Sequence, residues 1–280
     1  MEKAIKRYFP IFVLPTMIAF TLGFIIPFVE GVYLSFCKFT TVNDAKFIGF
    51  ANYAKVFTDE TFVHAFWYTA AFTVVSVILI NVLAFAVALL LTKGFKGTNI
   101  FRTVFFMPNL IGGIVLGYIW QLLLNGILMK FSRTLTYSST YGFWGLIILM
   151  CWQQIGYMMI IYIAGIQNIP GELIEAAEID GATKWQILKK VTIPMVMPSI
   201  TVCTFLTLTN SFKLFDQNLA LTNGEPSKMS EMLALNIFNT FYGRTGYEGV
   251  GQAKAVIFFI LVTVIALTQN YLTRRKEVQQ

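Results

Sequence analysis

The sequence predicts an all-α, polytopic membrane protein with six transmembrane helices. Hydrophobic residues make up 56% of the 280 residues and charged residues only 12%, whereas charged residues make up about a quarter of a typical soluble domain. The mean hydropathy of +0.67 agrees with this. A globular protein of this size would lack polar residues for its surface, so the composition excludes a soluble enzyme, a disordered chain and a nucleic-acid-binding module.

Six runs without formal charge define the predicted spans, because a helix needs about 20 apolar residues to cross a bilayer. They cover residues 8–29, 66–91, 104–124, 141–164, 191–212 and 255–273. The first run is too long for a signal peptide, contains three prolines and has no clean small-residue cleavage site after it. We therefore expect it to remain as a helix.

The distribution of Lys and Arg predicts the orientation, because cytoplasmic loops are enriched in both. If the amino terminus is inside, the inner segments hold tight basic clusters beside the ends of the spans, whereas the basic residues of the outer segments are dispersed. Both termini are therefore expected to be cytoplasmic. This placement explains the net charge of +7 without a nucleic-acid partner.

Residues that could carry catalysis or bind metal are sparse. Cys37, Cys151 and Cys203 are scattered, and His64 is the only histidine. Their spacing suits neither a metal site nor a disulfide framework. No Ser/His/Asp set or carboxylate pair lies at one membrane depth, and no G-x-x-x-x-G-K-[ST] loop occurs. We predict no catalytic residue, no metal and no cofactor in this chain.

The segment 166–194, between the fourth and fifth predicted spans, differs from the other loops. Four acids fall within nine positions: Glu172, Glu175, Glu178 and Asp180. They follow Pro170, and acids in the first turns after a proline favour the start of a helix. Gly181 marks a turn, and Thr183 with Gln186 forms a capping-box pattern for a second short helix. The segment is predicted to be a helical hairpin.

Two interpretations of this hairpin remain open from the residues alone. A rigid, capped hairpin can be gripped and pushed by a second protein, and small residues allow that surface to come close. Ala176, Ala177 and Ala182 would serve this purpose. A solvated amphipathic loop helix would carry the same charges.

The run from Glu175 to Gly181, followed by Val191-Thr-Ile-Pro194, resembles the EAA signature of permeases of binding-protein-dependent ABC importers. That signature reads E-A-A, three residues, G, nine residues and I-x-L-P, and the spacing here matches throughout. The Asp-Gly-Ala version resembles the carbohydrate-uptake branch, in particular the larger maltose-type permease subunit in a six-helix form. The resemblance implies the type I ABC importer permease fold with a cytoplasmic EAA coupling helix.

Other stretches resemble the same branch, and the likeness covers about residues 9–276. They are Phe47-Ile-Gly-Phe-Ala-Asn-Tyr53, Phe101-Arg102 with Phe105-Phe-Met-Pro108, and Leu221-Thr-Asn-Gly-Glu-Pro226. In the last of these Glu225 replaces the glycine of the family pattern.

The resemblance implies a permease subunit of an ATP-driven importer of an oligosaccharide or glycoside, located in the bacterial cytoplasmic (inner) membrane. The subunit would form half of the passage through which the sugar crosses the membrane, and transport would occur by alternating access. The implied partners are a second permease subunit, two cytoplasmic ATPase subunits that hydrolyse ATP, and an extracellular sugar-binding protein. The implied ATPase-coupling residues are Glu175, Ala176, Ala177, Asp180, Gly181 and Thr183.

A sugar in a membrane passage needs hydrogen-bonding groups and aromatic faces directed into the bundle. The candidates for contact with the sugar are Asn109, Gln154, Tyr157, Asn210 and Ser211. Polar side chains in spans also bond to neighbouring helices, so a structural role for each stays open.

Lys213 and Asp216 are three residues apart at the predicted outer end of the fifth span. We favour an interfacial salt bridge between them over an ion-coupling site. Gly112, Gly113 and Gly117 are expected to provide a small-residue face for close helix packing.

Two other functions stay open from the sequence: the same type of permease for a non-sugar solute, and a stand-alone secondary transporter. The predicted organisation is an amino-terminal span and first extracellular loop (1–64), a permease core (65–273) and a cytoplasmic tail (274–280).

Overall fold

The computed structural model describes residues 2–94 and 96–274 and is built almost entirely of helices. In chain order these are α1 (Glu2–Phe20), α2 (Ile26–Leu34), α3 (Ala51–Phe57), α4 (Glu60–Leu91), α5 (Thr98–Phe106), α6 (Gly113–Leu128), α7 (Ser139–Gln167), α8 (Gly171–Ile179), α9 (Lys184–Ile187), α10 (Ile193–Met195), α11 (Met197–Phe212), α12 (Asp216–Leu221), α13 (Leu233–Gly243) and α14 (Glu248–Arg274). Of the predicted cytoplasmic tail, residues 275–280 lie outside the described residues.

Within the described residues, five helical stretches are long and apolar enough to cross a membrane. They are Ile11–Leu34, Glu60–Leu91, Gly113–Phe131, Ser139–Gln167 and Glu248–Thr273. Lys184–Met195 and Met197–Phe212 meet at 69° and supply a sixth crossing if they form one broken span. The predicted count of six therefore corresponds to five helical crossings and one bent pair.

Prolines account for the later start of the third span and for irregular helical turns in the first and fifth spans. The third span begins at Gly113 rather than at residue 104, because Pro108 lies in a 3₁₀ turn, Met107–Leu110, that ends α5. The first and fifth spans contain π-helical stretches, Thr21–Ile25 and Leu188–Thr192. Each stretch ends two residues before a proline (27 and 194), whose missing N–H removes one helical hydrogen bond.

One compact unit of the fold comprises residues 1–60 and 237–260. It contains a two-stranded antiparallel sheet, in which β1 (Cys37–Lys38) pairs Cys37 with Phe47 of β2 (Lys46–Phe47). The buried Asn52 of α3 donates hydrogen bonds from Nδ2 to the carbonyl oxygens of Ser35 and Cys37, at 2.9 and 2.8 Å. This amide attaches α3 to the start of the sheet.

The other unit comprises residues 61–236 and 261–280, and its core forms around α7. Buried side chains of α7, among them Leu149, Met158 and Tyr162, pack with Phe72 of α4 and Cys203 of α11 in one hydrophobic cluster. Buried apolar area supplies about 25 cal/mol per Å² in water, but helices in lipid associate mainly through close packing and interhelical hydrogen bonds. The hydrogen bonds between these helices are therefore expected to contribute to the stability of the unit.

Candidate functional site

The helical hairpin (166–194) has the predicted form. Pro170 is the N-cap of α8, which starts at Gly171 and ends at Ile179. At its carboxyl end the Gly181 N–H donates to the Glu178 carbonyl and the Ala182 N–H to the Ala177 carbonyl, both at 3.0 Å. These two bonds form a Schellman motif, which needs a left-handed residue, and Gly181 has φ of +76°.

The second helix of the hairpin starts with the predicted capping box. The Gln186 N–H donates to Thr183 Oγ1 at 3.3 Å, and the Thr183 N–H donates to Gln186 Oε1 at 2.7 Å. Both helix ends at the turn are therefore capped by groups within the hairpin itself.

The hairpin presents a mixed apolar and acidic surface. Glu175, Ala176, Asp180, Gly181 and Thr183 are exposed, and Ala177 is half-buried. Two large apolar side chains stand out beside them, since Ile179 is 85% exposed and Trp185 is 68% exposed. A groove of about 270 Å³ runs between the two helices. It is lined by Ala177, Asp180, Gly181, Ala182, Gln186, Ile187, Lys190 and Val191.

A polar cavity of about 250 Å³ lies where α7, α11 and α12 meet. It is lined by Met150, Gln154, Asn210, Lys213, Leu214, Phe215, Asp216 and Gln217. Asn210 Nδ2 donates to Gln154 Oε1 at 3.4 Å, and Gln217 Nε2 donates to Gln153 Oε1 at 2.8 Å. Hydrogen bonds between amides thus hold the wall of this cavity together.

Of the five predicted passage residues, Gln154 and Asn210 line this cavity. Ser211 is the next residue along α11; it is fully buried, and its Oγ has no hydrogen-bond partner in the described part of the chain. Tyr157 is half-buried, and its ring centroid lies 6.5 Å from that of Phe106. Asn109 is half-buried in the 3₁₀ turn that precedes α6. None of these last three is among the residues that line the cavity.

Lys213 and Asp216 do not form the interfacial salt bridge that the sequence favoured. Both side chains are exposed and line the polar cavity. In the part of the chain that the structure describes, Lys213 and Asp216 form no ion pair with each other, whereas Lys254 forms one with Asp59. Three residues of spacing would pair the two on one helix, but α11 ends at Phe212 and α12 begins at Asp216, so the helix is broken between them.

The small-residue face of α6 packs closely, as predicted, at two of its three glycines. A Cβ on Gly113 would lie 2.7 Å from the Asp216 Cβ, and one on Gly117 would lie 2.6 Å from the Ala220 Cβ. Gly112 has no neighbour within 4 Å. The two packed glycines bring α12, with its cavity residues, against α6.

Comparison with known proteins decides the family. Residues 80–278 match the family model described as binding-protein-dependent transport system inner membrane component. The chain belongs to this family. Its members are transporter permeases and not enzymes, which confirms the predicted family and removes the alternative of a stand-alone secondary transporter. Membership also implies that partner subunits hydrolyse the ATP.

Individual relatives cover nearly the whole permease. It is 42% identical over 278 residues to the probable starch degradation products transport system permease protein AmyD of Thermoanaerobacterium thermosulfurigenes, covering 96% of this chain and 94% of the relative. It is 29% identical to the multiple sugar-binding transport system permease protein MsmF of Streptococcus mutans, covering 99% of both.

A solved structure supports the fold of the permease. A chain of a bacterial ABC transporter involved in the import of the acidic polysaccharide alginate superposes with a TM-score of 0.82 over 98% of both chains, at 22% identity. The predicted ABC importer permease fold is confirmed.

The permease contains a buried ion pair that sequence reasoning missed. Lys254 is fully buried, and its Nζ lies 2.7 Å from Asp59 Oδ2 and donates to Thr240 Oγ1 at 2.8 Å. In the sequence, Lys254 directly precedes the predicted span 255–273 and belongs to the dispersed basic residues of the outer segments. Its position at the start of the apolar part of α14 could have signalled a partner, because an ionised side chain in a membrane helix is costly unless paired.

A second missed feature joins three helices of the permease core. The Tyr162 hydroxyl donates to Asn81 Oδ1 at 2.7 Å, and Asn81 Nδ2 donates to Thr207 Oγ1 at 3.3 Å. These residues lie on α7, α4 and α11, so the network connects two helices of the cavity wall to α4. A lone Asn in an apolar span is a signal that sequence reasoning could have used.

The turn noted at residues 221–226 is held by a buried asparagine. Asn218 Nδ2 donates to the Ser230 carbonyl at 2.8 Å, and the Met232 N–H donates to Asn218 Oδ1 at 2.9 Å. Gly224, within the turn, has φ of +80°. Asn223 also has a positive φ, of +49°, whereas Glu225, which replaces the family glycine, does not take a left-handed conformation.

Proposed function

We propose that this permease is one half of a heterodimeric, ATP-driven sugar importer in the bacterial cytoplasmic membrane, with both termini cytoplasmic and residues 65–273 as its permease core. The hairpin is the observation that carries the proposal. Its exposed acidic and apolar surface and its capped turn coincide with the segment that matches the EAA signature. A second permease subunit, two ATPase subunits and an extracellular sugar-binding protein are the proposed partners.

The hairpin is proposed to dock into the ATPase subunit. Its exposed Ile179 and Trp185 together offer an apolar anchor, and such anchors dominate binding energy when a partner buries them. Glu175 and Asp180 beside them supply charges that set the orientation of the partner. Because both ends of the turn are capped, a displacement of the hairpin is transmitted to the bent pair, which begins within the hairpin at Lys184.

The polar cavity is proposed to contact the sugar. Gln154 and Asn210 provide both donors and acceptors, and Gln217 lies beside them, which suits a ligand that carries many hydroxyl groups. Tyr157, Asn109 and Ser211 remain proposed passage residues outside the cavity lining. The relatives named above act on starch degradation products and on multiple sugars, which favours a neutral, glucose-based oligosaccharide as the solute.

Copurification from native membranes tests this function. A tagged chain should bring down a second permease and an ATPase, and the complex should hydrolyse ATP. Glu175→Lys should reduce partner recovery or uncouple hydrolysis from transport, whereas Glu178→Lys, an exposed acid on the same helix, should have a smaller effect. A lone chain that transports sugar in vesicles without an ATPase would overturn the proposal.

A further inference from the structure

The polar cavity contains two opposite charges, on Lys213 and Asp216, that do not form an ion pair with each other. Neither side chain makes a hydrogen bond or ion pair with the described residues, and both belong to the lining of the polar cavity. The remaining polar lining consists of amides, which carry no net charge. The polar part of the lining therefore has a formal charge of zero, and the rest of the lining is the apolar side chains of Met150, Leu214 and Phe215.

A charge-balanced cavity of this kind discriminates between solutes by their charge. An anionic group is attracted by Lys213 and repelled by Asp216, and two such terms of similar distance cancel. A neutral hydroxylated solute instead accepts from the ammonium and donates to the carboxylate, and these charge-assisted bonds are stronger than neutral ones. The water that each charge loses is then replaced by a hydroxyl group.

We infer that Lys213 and Asp216 form the selectivity element of this passage, which admits neutral hydroxylated solutes and rejects acidic ones. The inference rests on the proposed function for the identity of the solute, but the charge balance of the cavity can be measured without any sugar. Removal of either charge makes the cavity selective for one sign.

The first experiment measures the charge preference of the cavity directly. Asn210→Cys places a thiol in the cavity wall of the purified complex in nanodiscs. Its reaction rates with anionic, neutral and cationic methanethiosulfonates are followed by peptide-resolved mass spectrometry, which separates this thiol from Cys37, Cys151 and Cys203. Gln154→Cys serves as a second reporter in case the first variant fails to assemble.

The parent is the Asn210→Cys protein with Lys213 and Asp216 intact. Its ratio of reaction rates with the anionic and the cationic reagent should stay within about threefold of the ratio for a free thiol. Adding Asp216→Asn should raise the ratio by about fivefold or more, and adding Lys213→Met should lower it by a similar factor. The double change should restore the parent ratio. Lys228→Met, an exposed lysine outside the cavity lining, should leave it unchanged. Ratios that do not respond to Lys213 or Asp216 would overturn the inference.

The second experiment uses two α-1,4-linked trisaccharides as probes, neutral maltotriose and acidic trigalacturonate. Maltotriose should protect Asn210→Cys in the parent and trigalacturonate should not, whereas with Asp216→Asn the acidic probe should protect as well. Equal protection of the parent by both probes would contradict the inference. If the charge ratios shift as expected but maltotriose gives no protection, the selectivity element stands and maltotriose is excluded as the solute.

Discussion

The buried ion pair of Lys254 and Asp59 allows a quantitative prediction. Lys254 is fully buried and Asp59 is 19% exposed, so Asp59→Asn removes the counter-charge from an ammonium that water does not reach. Breaking a buried pair by removing one partner costs about 3–5 kcal/mol. Because Asp59 keeps some contact with solvent, we expect the lower end, about 3 kcal/mol, which is about a hundredfold in an equilibrium constant.

Thiol labelling of Cys37 reports this loss locally. Cys37 is fully buried in the same unit as the ion pair, and a Cβ on Gly249 of α14 would overlap its carbonyl oxygen. Labelling requires the unit to open, so Asp59→Asn should speed the modification of Cys37 by about a hundredfold. Cys203 is buried in the other unit and serves as the internal reference, with an unchanged rate.

Two further variants separate the charge effect from a loss of packing. Glu30→Gln changes an exposed carboxylate of the same unit and should alter the labelling by less than about threefold. Lys254→Met combined with Asp59→Asn should be less destabilised than Asp59→Asn alone, because no uncompensated charge is left in the interior. A wild-type labelling rate in Asp59→Asn, or a double variant at least as destabilised as Asp59→Asn alone, would refute this reasoning.

Three further substitutions have expected outcomes. Gly181→Ala should strain the left-handed turn by about 1–2 kcal/mol and lower sugar-stimulated ATP hydrolysis by the complex. Gly171→Ala is the control, because this glycine has equally open surroundings and no positive φ, and it should leave the hydrolysis rate unchanged. Equal losses of hydrolysis in both variants would contradict the role of the turn. Gly156→Ala would drive a Cβ into the Phe105 carbonyl and should lower the free energy of unfolding by about 1–3 kcal/mol or more, measured by thermal unfolding. Gly126→Ala, with no neighbour within 4 Å, should leave this stability unchanged. Tyr162→Phe should cost about 0.6–1.7 kcal/mol in the same unfolding assay; no shift would mean that the Asn81 hydrogen bond contributes nothing to stability.

Features that depend on neighbouring residues could be predicted from the sequence. Pro170, Gly181, Thr183 and Gln186 lie within one hairpin, and the bonds that cap it join residues no more than five apart. The apolar runs likewise predicted the five continuous spans apart from the start of the third, because bilayer thickness sets helix length directly. The late start of the third span follows Pro108, and the bend of the fifth lies between Pro194 and Pro198. The effect of a proline on a helix depends on what packs around the freed carbonyls.

Only the tertiary structure decided which distant residues meet. Asp59 and Lys254 are 195 residues apart, and Gln154 and Asn210 are 56 apart. Their contacts depend on the register and rotation of packed helices, which a pattern of hydropathy does not encode. The sequence by itself determined the family, the helical class and the hairpin. The break between α11 and α12 placed Lys213 and Asp216 in a shared cavity instead of a salt bridge, because the local helix that would pair them ends at Phe212.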